Sequence, residues 1–172
     1  MGDGAPPGSV DLEGGVELLL AHHGTPGARC AEDVALRMAV LLQARVAHLL
    51  VVPAFWEGMM GDDWLNNAAT RDAFGSYLEN LLSREAQEVV NGVRERCSAL
   101  NLGYRALLRQ GEVTEVLLRV AEEIRPAMVV IGPRRPGGVP GFRDRVRIEG
   151  LARRVKVPVL IAPWGVEVSG RG

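Results

Sequence analysis

Two hydrophobic patterns alternate along this chain. Short, nearly continuous apolar runs are typical of strands that are buried on both faces of a parallel sheet. They occupy residues 16–22, 45–52, 104–108, 127–131 and 157–162. Longer segments with apolar residues at helical spacing separate them. The predicted order is therefore β-α-β-α-β-α-β-α-β, with crossovers long enough to keep every strand parallel and to lay helices on both faces of the sheet.

The helical segments have recognisable beginnings and apolar stripes. Thr25 is an N-cap residue type, and Pro26 suits the first helical position that follows it. In this first helix the periodic residues are Ala31, Val34, Ala35, Met38, Leu41 and Leu42. A long helix over about 67–100 points Ala86, Val89, Val93, Cys97 and Leu100 inward. A third helix follows Gly111 with Val113, Val116, Leu117, Val120, Ala121 and Ile124, and a basic helix is expected around 145–154.

Composition places the folded part of the chain in one domain. The 172 residues are 47% hydrophobic, which is enough for a single core. Residues 1–15, rich in Gly and Pro, are predicted to be a flexible leader, 16–164 the domain and 165–172 a flexible tail. We found neither a run of about 20 apolar residues nor the charged-then-apolar order of a signal peptide, so we expect a cytoplasmic protein without membrane contact.

Charge is unevenly distributed although the whole chain has a formal charge of -1. From residue 134 to residue 156 eight basic side chains stand against two acidic ones, a net +6 that leaves -7 elsewhere. Such a segment either attracts an anion or forms a solvated helix face. Because Phe142 is the only stacking aromatic near it, nucleic acid is not predicted as a partner.

Cysteine and histidine positions argue against disulfides and metal. Cys30 and Cys97 each fall in an apolar helical stripe, as core cysteines do in a reducing compartment. Neighbours on a strand point to opposite faces, so His22 and His23 do not converge on one ion, and no metal site is predicted. His48 lies within a strand and is interpreted as a hydrogen-bonded interior or edge histidine.

A parallel sheet of this kind binds ligands beyond the carboxyl ends of its strands, where the strand order reverses. The first candidates are therefore residues 22–25 and 132–138, with Val52 and Pro53 at the end of the second strand. No P-loop, dinucleotide-binding fingerprint or G-x-S-x-G motif occurs. Thr25 beside His23 is the only close pairing of a nucleophile type with a base, and capping explains Thr25, so no catalytic residue is predicted.

Two stretches resemble the universal stress protein family. They are LLLAHHGTPGARCAEDVALRMA near the start and VVIGPRRPGGVPGFRDRVRIEGLARRVKVPVLIAP near the end. The resemblance covers about residues 16–164. It implies a three-layer α/β/α fold whose five-stranded parallel sheet has the order 3-2-1-4-5, as in adenine nucleotide alpha hydrolase-like proteins.

The resemblance also implies where a nucleotide would bind. ATP-binding members carry Gly, two residues, Gly, nine residues, then Gly and Ser or Thr, so that bare backbone N–H groups wrap the phosphates. Gly132 matches the first position, whereas Arg135 replaces the second Gly and Arg145 and Val146 replace the closing pair. His23 stands where the family has an acidic residue before Gly24 and Thr25.

Arginine can also bind phosphate through its planar guanidinium, which leaves an alternative open. The candidate ligand-binding residues are His22, His23, Gly24, Thr25, Val52, Pro53, Gly132, Arg134, Arg135, Gly137, Gly138, Arg145 and Val146. We predict a non-catalytic stress-response module that acts through protein contacts or an unidentified small anion, with no cofactor. The alternative is a stress sensor that binds ATP or AMP through its arginine-rich loop.

The last strand is the predicted surface for self-association. In the order 3-2-1-4-5 this strand lies at an edge, where an apolar strand leaves backbone groups that a second copy can pair. The predicted partner is therefore a second copy of the chain, with a further protein partner also expected. The interface candidates are Val157, Val159, Ile161 and Trp164.

Overall fold

A computed structural model describes residues 15–22, 24–52, 68–134 and 146–165, and the side chains within these ranges except at 52 and 68–83. Nine elements follow one another in these ranges. They are β1 Glu17–Ala21, α1 Pro26–Leu42, β2 Arg45–Val52, α2 Ala68–Ala99, β3 Tyr104–Gln110, α3 Val113–Ile124, β4 Met128–Ile131, α4 Ile148–Arg154 and β5 Val159–Ile161.

The strands form one parallel sheet in the order β3-β2-β1-β4-β5. Register is fixed by pairs such as Leu20 with His48 and Leu19 with Val129. This confirms the parallel α/β fold class that buried apolar runs joined by helical crossovers predict, and the strand order that the resemblance implies.

Successive side chains of the strands point to opposite faces of the sheet and belong to two separate hydrophobic cores. Leu19 and Leu49 face α3 and α4, where Leu117 is fully buried. Leu18 and Leu20 face the other way, onto Ala35 of α1 and the buried part of α2. Because strand side chains alternate between faces, both faces need a helical layer, and the result is the predicted three-layer arrangement.

Helix α1 begins as predicted. The Thr25 hydroxyl accepts a hydrogen bond from the Ala28 N–H at 3.2 Å, and Pro26 occupies the first turn. Small buried residues, among them Gly27, Ala31, Ala35 and Ala39, let this helix lie close to the sheet. Leu41 and Leu42, which share the predicted apolar spacing, are instead exposed. The last turn of α1 lies beside the edge where β2 starts, beyond the cover of the sheet.

Other boundaries also differ from the prediction. Leu100 is exposed, because α2 ends at Ala99 and the chain turns there toward β3. Helix α4 begins at Ile148, and Val146 and Arg147 precede it in non-helical conformation. Strand β5 is shorter than the apolar run that predicts it, since Pro158 has no N–H to donate to a ladder.

Both cysteines lie within the described ranges and are free thiols. Cys97 is buried in the core under α2, as predicted, and Cys30 is half-buried. Burial raises the pKa of the Cys97 thiol to about 11. None of the helices described here combines the length and the hydropathy that a bilayer crossing requires.

Candidate functional site

The strand order reverses between β1 and β4, and the N-terminus of α1 lies at the end of both strands. Gly132 follows β4 and packs on the backbone of α1, where an added Cβ would lie 2.6 Å from the carbonyl oxygen of Gly27. Backbone atoms cannot move aside as a side chain can, so glycine is required at residue 132 by packing. This requirement is independent of any phosphate at the site.

The turn after β1 directs His22 inward. Gly24 adopts a positive φ of 84° and donates its N–H to Nδ1 of His22 at 3.2 Å. An added Cβ at Gly24 would lie 3.1 Å from Cγ2 of Val89 on α2. The His22 ring is consequently buried between the sheet and the α1/α2 layer, where it is withheld from a ligand in the crevice.

A buried carboxylate lies beside His22. Nε2 of His22 is 3.0 Å from Oε2 of Glu32, an ion-pair distance whose geometry does not meet that of a hydrogen bond. The other oxygen of Glu32 is 2.8 Å from the Arg96 guanidinium, which also binds Asp33 at 2.6 Å. Burial raises the pKa of Glu32, but the contacts with His22 and Arg96 outweigh it and hold that pKa below its usual value.

His48 completes this buried polar cluster, which we call the His22–Glu32–His48 network, together with Arg96 and Tyr104. Nε2 of His48 donates to the carbonyl oxygen of His22 at 3.0 Å. Burial lowers the pKa of His48 to about 4, so the ring is neutral at pH 7. The Tyr104 hydroxyl lies 3.0 Å from Nδ1 of His48 and 3.2 Å from the carbonyl oxygen of Val90, two acceptors for its one proton. The prediction of a hydrogen-bonded interior histidine at residue 48 is confirmed.

On the β4 side of the crevice, the two residues that precede α4 both make contacts within the protein. Val146 is half-buried and packs against the core on the α3/α4 face. The N–H of Arg147 donates to the Thr114 hydroxyl at 3.1 Å. An apolar side chain in contact with the core thus occupies the position where ATP-binding members carry a hydroxyl, and the next N–H already has a protein acceptor.

Part of the predicted ligand set is brought together by the structure. Gly24 and Thr25 lie beyond β1, Gly132 and the exposed Arg134 lie beyond β4, and Val52 ends the neighbouring strand β2. The predicted candidates His23, Pro53, Arg135, Gly137, Gly138 and Arg145 lie outside the described residues. Among the residues that are described, no group of three His, Cys, Asp or Glu side chains could hold a metal ion.

Sequence reasoning missed Glu32 and Arg96. Glu32 follows Ala31 and lies four residues after Ala28, so it places a carboxylate on the buried stripe of α1. A charged residue on such a stripe indicates a buried partner. The partner of Glu32 could not be identified from sequence spacing, because Arg96 is 64 residues further along the chain.

The four predicted interface residues differ in exposure. Val157 and Val159 are half-buried against the core of their own chain. Ile161 is 41% exposed. The Trp164 ring packs on the start of α1, where its Cζ3 would lie 3.4 Å from a Cβ added to Gly27.

A three-layer α/β/α domain with its crevice at the β1/β4 reversal defines the class of parallel-sheet proteins that bind ligands at strand ends. Comparison with known families gives the assignment within this class. The family model described as "Universal stress protein family" matches residues 17–163, and this chain belongs to that family. No curated protein is significantly similar to it in sequence.

Solved structures of the family have the same fold. A universal stress protein family protein from Burkholderia pseudomallei has a TM-score of 0.63 and 26% identity, covering 86% of this chain and 95% of that one. A universal stress protein in complex with cAMP has a TM-score of 0.59 and 17% identity over 87% and 98%. One from Arabidopsis thaliana with AMP bound has a TM-score of 0.60 and 12% identity over 90% and 95%.

Proposed function

We propose that this universal stress protein is a non-catalytic regulatory module that lacks the glycine-lined nucleotide cradle and acts through protein contacts or a small anion. The observation that carries the proposal is the position of Val146. In ATP-binding members the corresponding hydroxyl closes around a phosphate, whereas the side chain of Val146 carries no hydroxyl and packs on the core.

Neighbouring contacts support the same conclusion. The N–H of Arg147, which follows Val146, is engaged by Thr114. A phosphate bound there would have to displace that hydrogen bond, at a cost of about 1 kcal/mol or more. Arg134 remains exposed at the end of β4, so an anion would be held by guanidinium groups and not by bare backbone.

The side chains at the end of β1 support a non-catalytic role. The Thr25 hydroxyl oxygen caps α1, and the His22 ring is turned into the core, away from that hydroxyl. A nucleophile needs a base within hydrogen-bond reach. The His22 ring is not placed to act as a base for the Thr25 hydroxyl.

Calorimetric titration of the purified protein with ATP, AMP, cAMP and inorganic phosphate tests the proposal. We expect no heat of nucleotide binding at micromolar concentration. A matched variant in which Arg135→Gly, Arg145→Gly and Val146→Ser restore the motif provides the comparison. Micromolar binding of ATP or AMP by the unmodified chain would contradict the proposal.

An adenine-nucleotide sensor is the second candidate function, and the fold similarity to the AMP-bound and cAMP-bound relatives favours it. In this case Arg134, Arg135 and Arg145 would bind the phosphate groups by their guanidinium forks. Micromolar binding that Arg135→Ala abolishes would establish this function. The same titration therefore separates the two candidates.

We also propose that the protein forms a homodimer through β5. This strand lies at the edge of the sheet, and Ile161 exposes an apolar side chain there. Sedimentation of Ile161→Lys tests the interface better than Val159→Lys, because Val159 also packs in its own core. A dimeric mass retained by Ile161→Lys would contradict the proposal.

A cytoplasmic location belongs to the same proposal. Two unpaired cysteines suit a reducing compartment. Cell fractionation, with the protein expected among the cytoplasmic proteins, provides the test.

A further inference from the structure

A groove of mixed polarity lies at the edge where the strands start, opposite the candidate ligand site. It runs between the ends of α1 and α2 and has a volume of about 350 Å³. Aliphatic side chains line it beside polar ones, and the lining residues are Val40, Gln43, Ala44, Arg45, Leu100, Asn101, Leu102 and Gly103. Val40 is 48% exposed and Leu100 is 47% exposed. We call it the start-edge groove.

The groove follows from the way both helices end. Gln43 after α1 and Asn101 after α2 each adopt a positive φ, near 50°, that turns the chain toward the next strand. The last helical residues therefore lie beyond the sheet and find no core. Among the described residues, seven large hydrophobic side chains are exposed, and five of them are near this edge: Val16, Val40, Leu41, Leu42 and Leu100. Apolar surface gathered in one place indicates an interaction site.

Arg45 gives the groove a charge. Its aliphatic stem lies on Gly103, where an added Cβ would meet Cγ of Arg45 at 2.7 Å. Its guanidinium has no hydrogen bond or ion pair among the residues that the structure describes. Exposed aliphatic side chains beside this guanidinium fit a segment that combines aliphatic side chains with carboxylates.

The topology indicates which segment of the chain can reach the groove. Residues 53–67, 135–145 and 166–172 follow the carboxyl ends of β2, β4 and β5, at the far edge of the sheet. Residues 1–14 alone join the chain at the start edge. Val16 lies there beside the groove, since its carbonyl oxygen accepts the N–H of Arg45 at 2.7 Å.

The sequence of the N-terminal segment matches the groove. Residues 10–13 read Val-Asp-Leu-Glu, so two aliphatic side chains alternate with two carboxylates. Leu12 lies four positions before Val16, an extended reach of about 13 Å. A tether this short gives the segment a high effective concentration at the groove.

We propose that residues 10–13 dock in the start-edge groove, with Val10 and Leu12 packed against Leu100 and with Asp11 or Glu13 paired with Arg45. The docked segment covers apolar surface that would otherwise be open to other proteins. Any partner that binds this surface must first displace it.

Hydroxyl-radical footprinting of the full-length protein, read by mass spectrometry, tests the docking. In Val10→Ser/Leu12→Ser we expect oxidation of Leu100 to rise about two-fold or more, because a groove occupied at least half of the time becomes open. Leu108 on β3, which is 57% exposed and lies away from the groove, is the internal standard. Unchanged oxidation of Leu100 would overturn the proposal.

The chain provides a matched control at its other end. Val166 and Val168 flank Glu167 in a similar alternation, and they follow β5 at the opposite edge. Val166→Ser/Val168→Ser should leave the oxidation of Leu100 unchanged, and a rise equal to that of the N-terminal variant would count against docking. Protection that increases with protein concentration would also overturn the proposal, since it would mean that a second copy covers the groove.

A charge reversal tests the ion pair separately. Arg45→Glu should increase oxidation of Leu100, and adding Asp11→Arg and Glu13→Arg should restore its protection. Leu108 again reports whether the fold is intact. Failure of the combined variant to restore protection would contradict the pairing with Arg45.

Discussion

Nε2 of His48, in the middle of β2, lies 3.0 Å from the carbonyl oxygen of His22, at the end of β1. This hydrogen bond satisfies a buried carbonyl next to the turn that leads into the candidate site. Through the Tyr104 hydroxyl the same ring is connected to β3. The network therefore links the end of β1 to β2 and β3 by buried hydrogen bonds. Four predictions test the role of this network and of glycines in the fold.

Replacing His48 by Leu should lower the free energy of unfolding by about 1–3 kcal/mol, because the buried carbonyl of His22 loses a hydrogen bond, whereas the Tyr104 hydroxyl keeps the Val90 carbonyl as an acceptor. Urea unfolding at pH 7.5 measures the change. Tyr104→Phe is the matched control, since it removes one hydroxyl, and it should cost less. A His48→Leu protein as stable as the unmodified one would contradict a structural role for the ring.

Stability should fall as the pH is lowered from about 6.5 to 4. Burial lowers the pKa of His48 to about 4 in the folded protein, against 6.5 in the unfolded chain. Between these values the unfolded chain binds the additional proton, so this contribution is complete above pH 6.5 and is lost as the pH falls toward 4. The loss amounts to about 3 kcal/mol.

Unfolding measured across this pH range checks the prediction, and His48→Leu should flatten the slope between pH 6.5 and 4.5. Glu32 contributes only below that interval, because its pKa lies below the ordinary value. A slope that persists in the variant would assign the effect to another group.

Glu32→Gln should destabilise the protein by about 1–3 kcal/mol, because it leaves the buried His22 ring and Arg96 without their carboxylate. Asp33→Asn is the matched control on the same helix. Asp33 is half-exposed and binds the same guanidinium, so its removal should cost less than about 1 kcal/mol. Equal effects of the two substitutions in urea unfolding would argue against a special role for the buried carboxylate.

Gly132→Ala should destabilise the protein by about 1–3 kcal/mol, since the new methyl group would be forced against the backbone of Gly27. Gly92, in α2, has nothing within 4 Å of an added Cβ. Gly92→Ala should therefore raise stability by about 0.5–1 kcal/mol through helix propensity. Thermal unfolding of both variants compares them, and a Gly132→Ala protein of unchanged stability would refute the packing role of this glycine.

Much of the fold was predictable from periodicity. The bounds of β2 agree with the apolar run that predicts them, and every apolar position predicted for α3, from Val113 to Ile124, is buried or partly buried. The predictions failed at element ends. Leu41, Leu42 and Leu100 have the right spacing, but spacing does not reveal where a helix passes the edge of the sheet that would cover it.

The location of the candidate site was predictable from the sequence, whereas the orientation of its side chains was not. Strand ends locate the crevice, and Thr25 caps α1 as its residue type predicts. The inward turn of His22 was not predictable, because it depends on the positive φ of Gly24 and on contacts with distant residues. Val146 illustrates the same limit: the sequence shows that the hydroxyl is missing, and packing shows where the apolar side chain lies.

By itself the sequence determined the alternation of buried strands and amphipathic helices, hence a parallel sheet, since these are local patterns with fixed periods. Only the tertiary structure decided that Glu32 contacts both His22 and Arg96, that glycine at residue 132 is required by the backbone of α1, and that exposed aliphatic side chains line a groove beside Arg45. The physical reason is that each of these depends on which surfaces are brought together across tens of residues, and side-chain burial is set by those neighbours.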